Sequence, residues 1–296
     1  MNKKAIITGG TGFVGSNLCR MLVDNNWKVY IISRKSSSYD NLNDIRDKVT
    51  IYEYNYNILD LIYFFNLVKA DIVFHIASLY ISEHEPKHID NLIDSNVKFG
   101  THILEAMSKS NTKLIINTGT SWQHYHTNEY NPVNLYASTK EAFEKVIKYY
   151  TETENIRCIT LKLFDTYGET DKRKKLINLL NKFADEHKQL NMSPGNQVIN
   201  LVHIDDVINA FIKAYEYLID NKEIINEVYG VGTENIISLK ELMTLFEEVT
   251  GKKLNIIWGG HGYRKREVMK LWKGYKKLPN WNCRVTLREG LGRYRK

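Results

Sequence analysis

Short apolar runs alternate with amphipathic stretches along the first half of the chain. The segments "KKAIIT" (3–8), "KVYIISR" (28–34), "VTIYEYN" (49–55), "DIVFHIA" (71–77), "KLIINTG" (113–119) and "RCITLKLF" (157–164) are rich in β-branched residues and almost continuously apolar. Strands covered on both faces read this way. Between them, residues 16–25 and about Ile89 to Ser108 have helical spacing, and another helix carries Tyr136 and Lys140. Strands separated by helices predict a parallel sheet with helices on both faces, and right-handed crossovers make it a doubly wound α/β sheet.

Beyond Phe164 the alternation loosens. Residues 171–189 read as a helix, Pro194-Gly195 as a turn, "QVINLVHI" (197–204) as a strand, and 205–219 as an amphipathic helix with Asp205 as its N-cap. A further helix (238–251) opens on Ser238 and ends at Gly251. The expected organisation is a main unit over 1–165 and a smaller substrate-binding lobe over 166–296. A strand from the later part is free to return to the main sheet, which would interleave the two.

Composition narrows the class. With 43% hydrophobic residues the chain can build a sizeable core. The net charge of +7 is spread out, and the densest basic run, 263–277, lacks the spacing of a known nucleic-acid module. A soluble enzyme acting on anionic small molecules is expected, with no nucleic-acid partner. Three cysteines, none in a C-x-x-C motif, and the lack of a secretory pattern point to a reducing cytoplasm. Cys19 and Cys158 fall in core positions and read as small hydrophobes. No apolar run approaches the ~20 residues of a membrane span, so no membrane association is expected.

"TGGTGFVGSNL" (8–18) joins the first strand to the first helix, with Gly9, Gly12 and Gly15 three apart. A backbone that turns tightly over a pyrophosphate, and then packs a helix against the sheet, needs glycine at such positions. The free N–H groups of the helix start face the anion. The second strand ends in Ser33-Arg34-Lys35-Ser36, with no acid to accept bonds from a ribose 2′-hydroxyl. Two cations and two hydroxyls suit a 2′-phosphate, so NADP(H) is expected over NAD(H). The alternative makes Arg34 and Lys35 solvated loop charges.

These motifs, in this order, resemble the extended short-chain dehydrogenase/reductase family, the NAD-dependent epimerase/dehydratase group that modifies nucleotide sugars. "TGGTGFVG" resembles its T-G-x-x-G-x-x-G, "YNYNILD" its segment after the third strand, and "HIAS" (75–78) its H-x-A-A. "NVKFGT", "LFDTYG", "INLVHIDDV" and "LPNWNCRVTLREGL" are similar to later family segments, so the likeness spans nearly the whole chain. The resemblance implies a Rossmann sheet and a cofactor held by Gly9, Thr11, Gly12, Phe13, Val14 and Gly15. It adds Ser33, Arg34 and Lys35, then Asn57 and Ile58 near the adenine, and Ile76, Ala77 and Ser78 after the fourth strand. It also implies a homodimer formed through the helix bearing Tyr136 and its neighbour.

Within this resemblance "LYASTK" (135–140) becomes Y-x-x-x-K. Residues four apart share a helix face, so the Tyr136 hydroxyl and Lys140 ammonium approach one site. A neighbouring cation is expected to lower the phenol toward neutrality, for proton transfer at a sugar carbonyl or hydroxyl. Lys140 would also hold the nicotinamide ribose. Thr120 matches the family's serine or threonine, and its hydroxyl would orient the substrate oxygen, with Ser121 as the fallback. Ser121, Trp122, Asp165 and Arg173 are the expected substrate contacts. Gln123, His124 and Tyr125 are further candidates to line the cleft, and Lys174, Lys175 and Arg264 to hold phosphates.

Family dehydratases carry an Asp-Glu pair where this chain has Ser121-Trp122, which argues against elimination of water. "NTGTSWQHY", "YNPVNLYASTK" and "LKLFDTYG" resemble the branch that reduces the 4-keto group of CDP-3,6-dideoxy sugars. NADPH-dependent reduction of such a nucleotide sugar is the leading expectation. The alternatives are a nucleotide-sugar epimerase with tightly bound NAD and a non-catalytic dinucleotide sensor. His84 and His88 are four apart, but Pro86 lies between them, and no metal site is expected.

Overall fold

The computed structural model describes residues 2–295. Its elements are β1 (Lys4–Thr8), α1 (Phe13–Asp24), β2 (Lys28–Ser33), β3 (Val49–Glu53), α2 (Ile58–Val68), β4 (Ile72–His75), α3 (Ile89–Ile93), α4 (Phe99–Ser108), β5 (Leu114–Thr120), α5 (Leu135–Thr153) and β6 (Arg157–Leu163). They continue with β7 (Asp165–Tyr167), α6 (Leu176–Asp185), β8 (Gln189–Met192), β9 (Val198–Ile199), β10 (Leu201–His203), α7 (Ile204–Asp220), β11 (Asn226–Val231), β12 (Ile237–Ser238), α8 (Leu239–Thr250), β13 (Asn255–Trp258) and α9 (Leu287–Gly292).

The main sheet has seven parallel strands in the order β11-β6-β5-β4-β1-β2-β3. The chain winds outward from β1 through β2 and β3, then restarts at β4 on the other side of β1. A crevice opens where the winding reverses, beyond the carboxyl ends of β1 and β4. Thr8 and His75 end these strands in register. One face of the sheet packs on α1 and α7, through Leu18, Leu22, Phe211 and Ala214. The other packs on α2, α4 and α5, through Phe65, Leu104, Phe143 and Ile147. A third core joins α6, α8 and α9 through Leu180, Leu242, Phe246 and Leu291. β11 returns from the later part of the chain and extends the main sheet beside β6. Among the described residues no helix is long and apolar enough to cross a membrane.

Several elements depart from the sequence expectation for local reasons. The helix expected over 171–189 is only Leu176–Asp185. Asp171 accepts from the Arg173 backbone (3.0 Å) and pairs with its guanidinium, and this local turn competes with helix. The strand expected over 197–204 breaks at Asn200, whose side chain bonds both the N–H and the carbonyl of Thr233. Asp205 is not the N-cap of α7. His203 takes that place, its Nδ1 accepting from Asp205 N (3.2 Å), and the Asp205 carboxylate meets Arg293 instead. The helix expected from Ile89 to Ser108 runs through but widens into a π-turn at Asp94–Lys98, which carries the buried Asn96 against Leu79 and Thr139.

Candidate active site

The chain leaves β1 through a glycine loop whose geometry admits no side chain at two places. A Cβ at Gly15 would fall 2.1 Å from the Gly9 carbonyl oxygen. Gly9 has φ +72°, and a Cβ there would fall 2.7 Å from Ala77 N. Gly12 is the N-cap of α1, and among the described residues no side chain caps the first N–H groups. The loop and the helix start line a cavity of about 740 Å³. Gly9, Thr11, Gly12, Phe13, Val14 and Gly15 line it on one side; Ile76, Ala77 and Ser78 line it on another. Thr8 ties the two sides together, since its hydroxyl meets His75 Nδ1 (2.9 Å) and accepts from Ala77 N (3.2 Å). His75 is fully buried, and desolvation, aided by the charge of Lys140, pushes its pKa down to about 3.

At the far end of the cavity lie Ser33, Arg34 and Ser37. The Ser33 hydroxyl bonds Tyr39 (2.9 Å), and Arg34 is exposed. Three residues expected there stand elsewhere. Lys35 is exposed outside the lining. Asn57 caps α2 by accepting from Leu59 N (2.9 Å), and Ile58 packs against the core beside α4. Tyr54 and Tyr56 line the cavity in their stead. No motif pointed to them, because the chain reverses through Tyr56 at positive φ and brings the tyrosines rather than Asn57 to the wall.

Thr120 and Tyr136 open into the same cavity from two elements. Thr120 ends β5 and caps a short 3-10 turn, Ser121–Gln123. Its Oγ1 accepts from Trp122 N (3.3 Å), while its own N–H donates to Gln123 Oε1 (2.9 Å). Tyr136 sits in the first turn of α5, which Asn134 caps by accepting from Ala137 N (3.0 Å). The Asn134 amide also donates to the Ser82 carbonyl (2.8 Å), which anchors the helix start. Lys140 lies one turn deeper, 1% exposed, and among the described residues its Nζ has no hydrogen-bond partner. Burial lowers its pKa to about 8, with Glu144 acting in the opposite direction. The expected lowering of the Tyr136 phenol is not found. Burial pushes it above the usual range, against the hydroxyls of Ser78 and Thr120 and the charge of Arg173.

A second cavity of about 600 Å³ adjoins the first and shares Tyr80, Trp122, Asp165, Thr166 and Lys175 with it. Ser121 and Arg173 line the first cavity only. Arg173 lies over the Phe13 ring, 4.6 Å from its centroid, and is clamped by Asp171. Lys175 stands over Tyr80 at 3.6 Å. Arg264 lines the second cavity, pairs with Glu267, donates to Ser82 (3.1 Å) and lies over Trp122. Lys174 lines the first cavity. Tyr80 was not anticipated, yet its ring packs edge-on against Tyr136 at 5.2 Å and lies 5.6 Å from Trp122. Gln123, His124 and Tyr125 line neither cavity. Gln123 is fully buried behind Thr120, His124 stacks on Trp272 at 4.0 Å, and Tyr125 stacks on His126. His88 bonds the backbone of Glu85 (3.0 Å) in a capping box.

The chain is similar to known proteins over most of its length. It is 30% identical over 269 residues to the CDP-abequose synthase of Yersinia pseudotuberculosis, covering 90% of each chain. It is 26% identical over 304 residues to a putative UDP-glucose 4-epimerase of Methanocaldococcus jannaschii, covering 97% and 96%. In fold it matches the UDP-glucose 4-epimerase of Thermotoga maritima with a TM-score of 0.86 at 22% identity, covering 98% of this chain and 96% of that one. The UDP-glucuronic acid 4-epimerase of Bacillus cereus matches with a TM-score of 0.85 at 23% identity, covering 98% of both chains. The family model described as the NAD dependent epimerase/dehydratase family matches residues 5–232. Together with the glycine loop and the paired tyrosine and lysine, this identifies the chain as a member of the NAD dependent epimerase/dehydratase family.

Proposed function

We propose that the protein is a cytoplasmic, homodimeric NADPH-dependent reductase of a 4-keto nucleotide sugar, of the CDP-4-keto-3,6-dideoxyhexose type. The observation that carries this reading is that Thr120 and Tyr136 open into the cavity that begins at the glycine loop, with Lys140 buried one turn beneath. The likeness to CDP-abequose synthases supports the substrate class.

A dinucleotide suits the first cavity. A Cβ at Gly9 or Gly15 would obstruct the loop, and Lys140 Nζ is a buried donor without a partner among the described residues. The loop N–H groups and the start of α1 would hold the diphosphate. Arg34 and Ser37 would hold a 2′-phosphate, and Lys140 the nicotinamide ribose. When bound, the reduced cofactor supplies a hydride to the sugar carbonyl carbon. Tyr136 delivers a proton from its hydroxyl to the carbonyl oxygen, and the raised pKa keeps that proton in place until it is needed. Thr120 Oγ1 bonds the same oxygen and orients it. Ser121 and Trp122 supply no acid-base pair for elimination. The nucleotide part of the substrate would extend into the second cavity, past the cations of Lys175 and Arg264.

Loss of reduced-cofactor absorbance with CDP-, dTDP-, UDP- and GDP-4-keto sugars tests the reading. Oxidation of NADPH with the CDP sugar is expected. NAD that co-purifies, with sugar interconversion and no net NADPH loss, would establish an epimerase instead. Arg34→Ala should raise the Kd for NADPH relative to NADH about tenfold, the loss of one charge-assisted contact. Light scattering tests the dimer.

A further inference from the structure

Behind Thr120 lies a group of polar side chains that the proposed reaction does not use. Gln123 Oε1 accepts from Thr120 N (2.9 Å), and its Nε2 donates to Glu141 (2.6 Å) and Glu144 (2.8 Å). The amide has one workable orientation, because an N–H needs the oxygen and two carboxylates need the NH₂. Lys162 on β6 lies 3.6 Å from Glu141 and 3.4 Å from Glu144. Its Nζ also meets His124 Nε2 at 3.0 Å. Lys145 holds the open side of Glu141 at 2.9 Å. The packing is tight: a Cβ at Gly119 would fall 2.9 Å from Lys162 Cγ and 3.0 Å from both Gln123 Oε1 and Glu144 Oε1.

These contacts join the two elements that supply the reacting groups. Thr120 ends β5, while Glu144 lies one turn beyond Lys140 on α5, the helix that also carries Tyr136. Gln123 is therefore a direct link from the Thr120 backbone to α5. Burial pushes the Glu144 carboxyl above its usual range, against the charge of Lys162 and the hydrogen bond from Gln123. Removing one member of a buried ionic group leaves the remainder uncompensated.

We propose that Gln123 and Glu144 are positioning residues for the reaction suggested above: the Gln123 amide locks the Thr120 backbone to α5, and Glu144, beside Glu141, holds that amide in place. Neither lines either of the two cavities described, so both act through Thr120. The proposal rests on the catalytic reading of Thr120, and its test separates the two ideas.

One readout needs no substrate. Amide exchange at Thr120 should quicken about tenfold in Gln123→Leu, because its acceptor is gone, and about threefold in Glu144→Gln, which loosens the amide. Gln123→Met offers the same loss in a milder form should the leucine variant misfold. Unchanged exchange at Thr120 in the Gln123 variants overturns the role of Gln123, and unchanged exchange in Glu144→Gln overturns that of Glu144. With a 4-keto substrate, Gln123→Leu and Glu144→Gln should lower kcat about 100-fold with KM within about threefold. Unchanged kcat also overturns the proposal. A wild-type protein that reduces no 4-keto sugar sinks the reductase reading alone, since the exchange results still decide the contacts.

Discussion

At the scale of single residues, burial decides how the candidate acid behaves. Tyr136 faces a cavity walled by Tyr80 and Trp122, and desolvation holds its phenol protonated. That suits a group that gives a proton during reduction. Tyr136→Phe should therefore lower kcat about 1,000-fold in steady-state assays, with KM within a few-fold. Lys140 supplies the titration that matters near neutrality. Its ammonium is present below its pKa of about 8 and lost above it, so activity should decline as pH rises through that value. A kcat/KM profile that stays flat from pH 7 to 9 would remove Lys140 from the mechanism. The cavity lining legible in the sequence lay in short patterns: the glycines, residues 76–78 and 120–122, Asp165, Arg173 and the tyrosine four ahead of the lysine. Gln123 was misread as lining the cleft because its partners, Glu141 and Glu144, lie 18 and 21 positions away, and no local spacing encodes that pairing.

At the scale of elements, α1 shows what the glycine spacing achieves. The helix can start against β1 only because the Gly15 Cα approaches the Gly9 carbonyl without a Cβ between them. Gly15→Ala should displace the helix start and weaken NADPH binding about 100-fold in a fluorescence titration, even where circular dichroism shows an intact fold. The central strands were legible because continuous apolar runs and parallel burial are the same signal. α8 was legible at both ends, from the Ser238–Glu241 capping box to Gly251 in the left-handed region. α6 was overestimated because "DKRKK" has helical residues, while Asp171 and Arg173 close a local turn that periodicity does not register. The cap of α7 was misassigned by two positions because aspartate is the commoner cap, yet Asp205 is drawn to Arg293.

At the scale of the whole molecule, the closing segment ties two cores together. Leu278 and Trp281 belong to the core between the main sheet and α7, whereas Leu291 and Tyr294 belong to the core of α6, α8 and α9. Between them the chain is pinned by Asp206 of α7, which is 2% exposed. Its carboxylate accepts from Arg284 N (2.9 Å) and Val285 N (3.0 Å), and its carbonyl accepts from Trp281 Nε1 (2.9 Å). Two charge-assisted bonds to backbone N–H groups are the kind of contact whose loss leaves buried donors without acceptors. Asp206→Ala should lower unfolding stability by about 3 kcal/mol, read from urea denaturation. Asp206 lines neither cavity, so a purely global effect would leave every ligand affinity unchanged once folded protein is corrected for. If the pin instead sets how the α6–α8–α9 core sits on the sheet, the second cavity, walled by Leu176, Ile177 and Leu239, loses its shape first. Folded Asp206→Ala should then show a KM for the nucleotide sugar raised about tenfold, with the Kd for NADPH within about twofold, because the glycine loop and β1 belong to the other core.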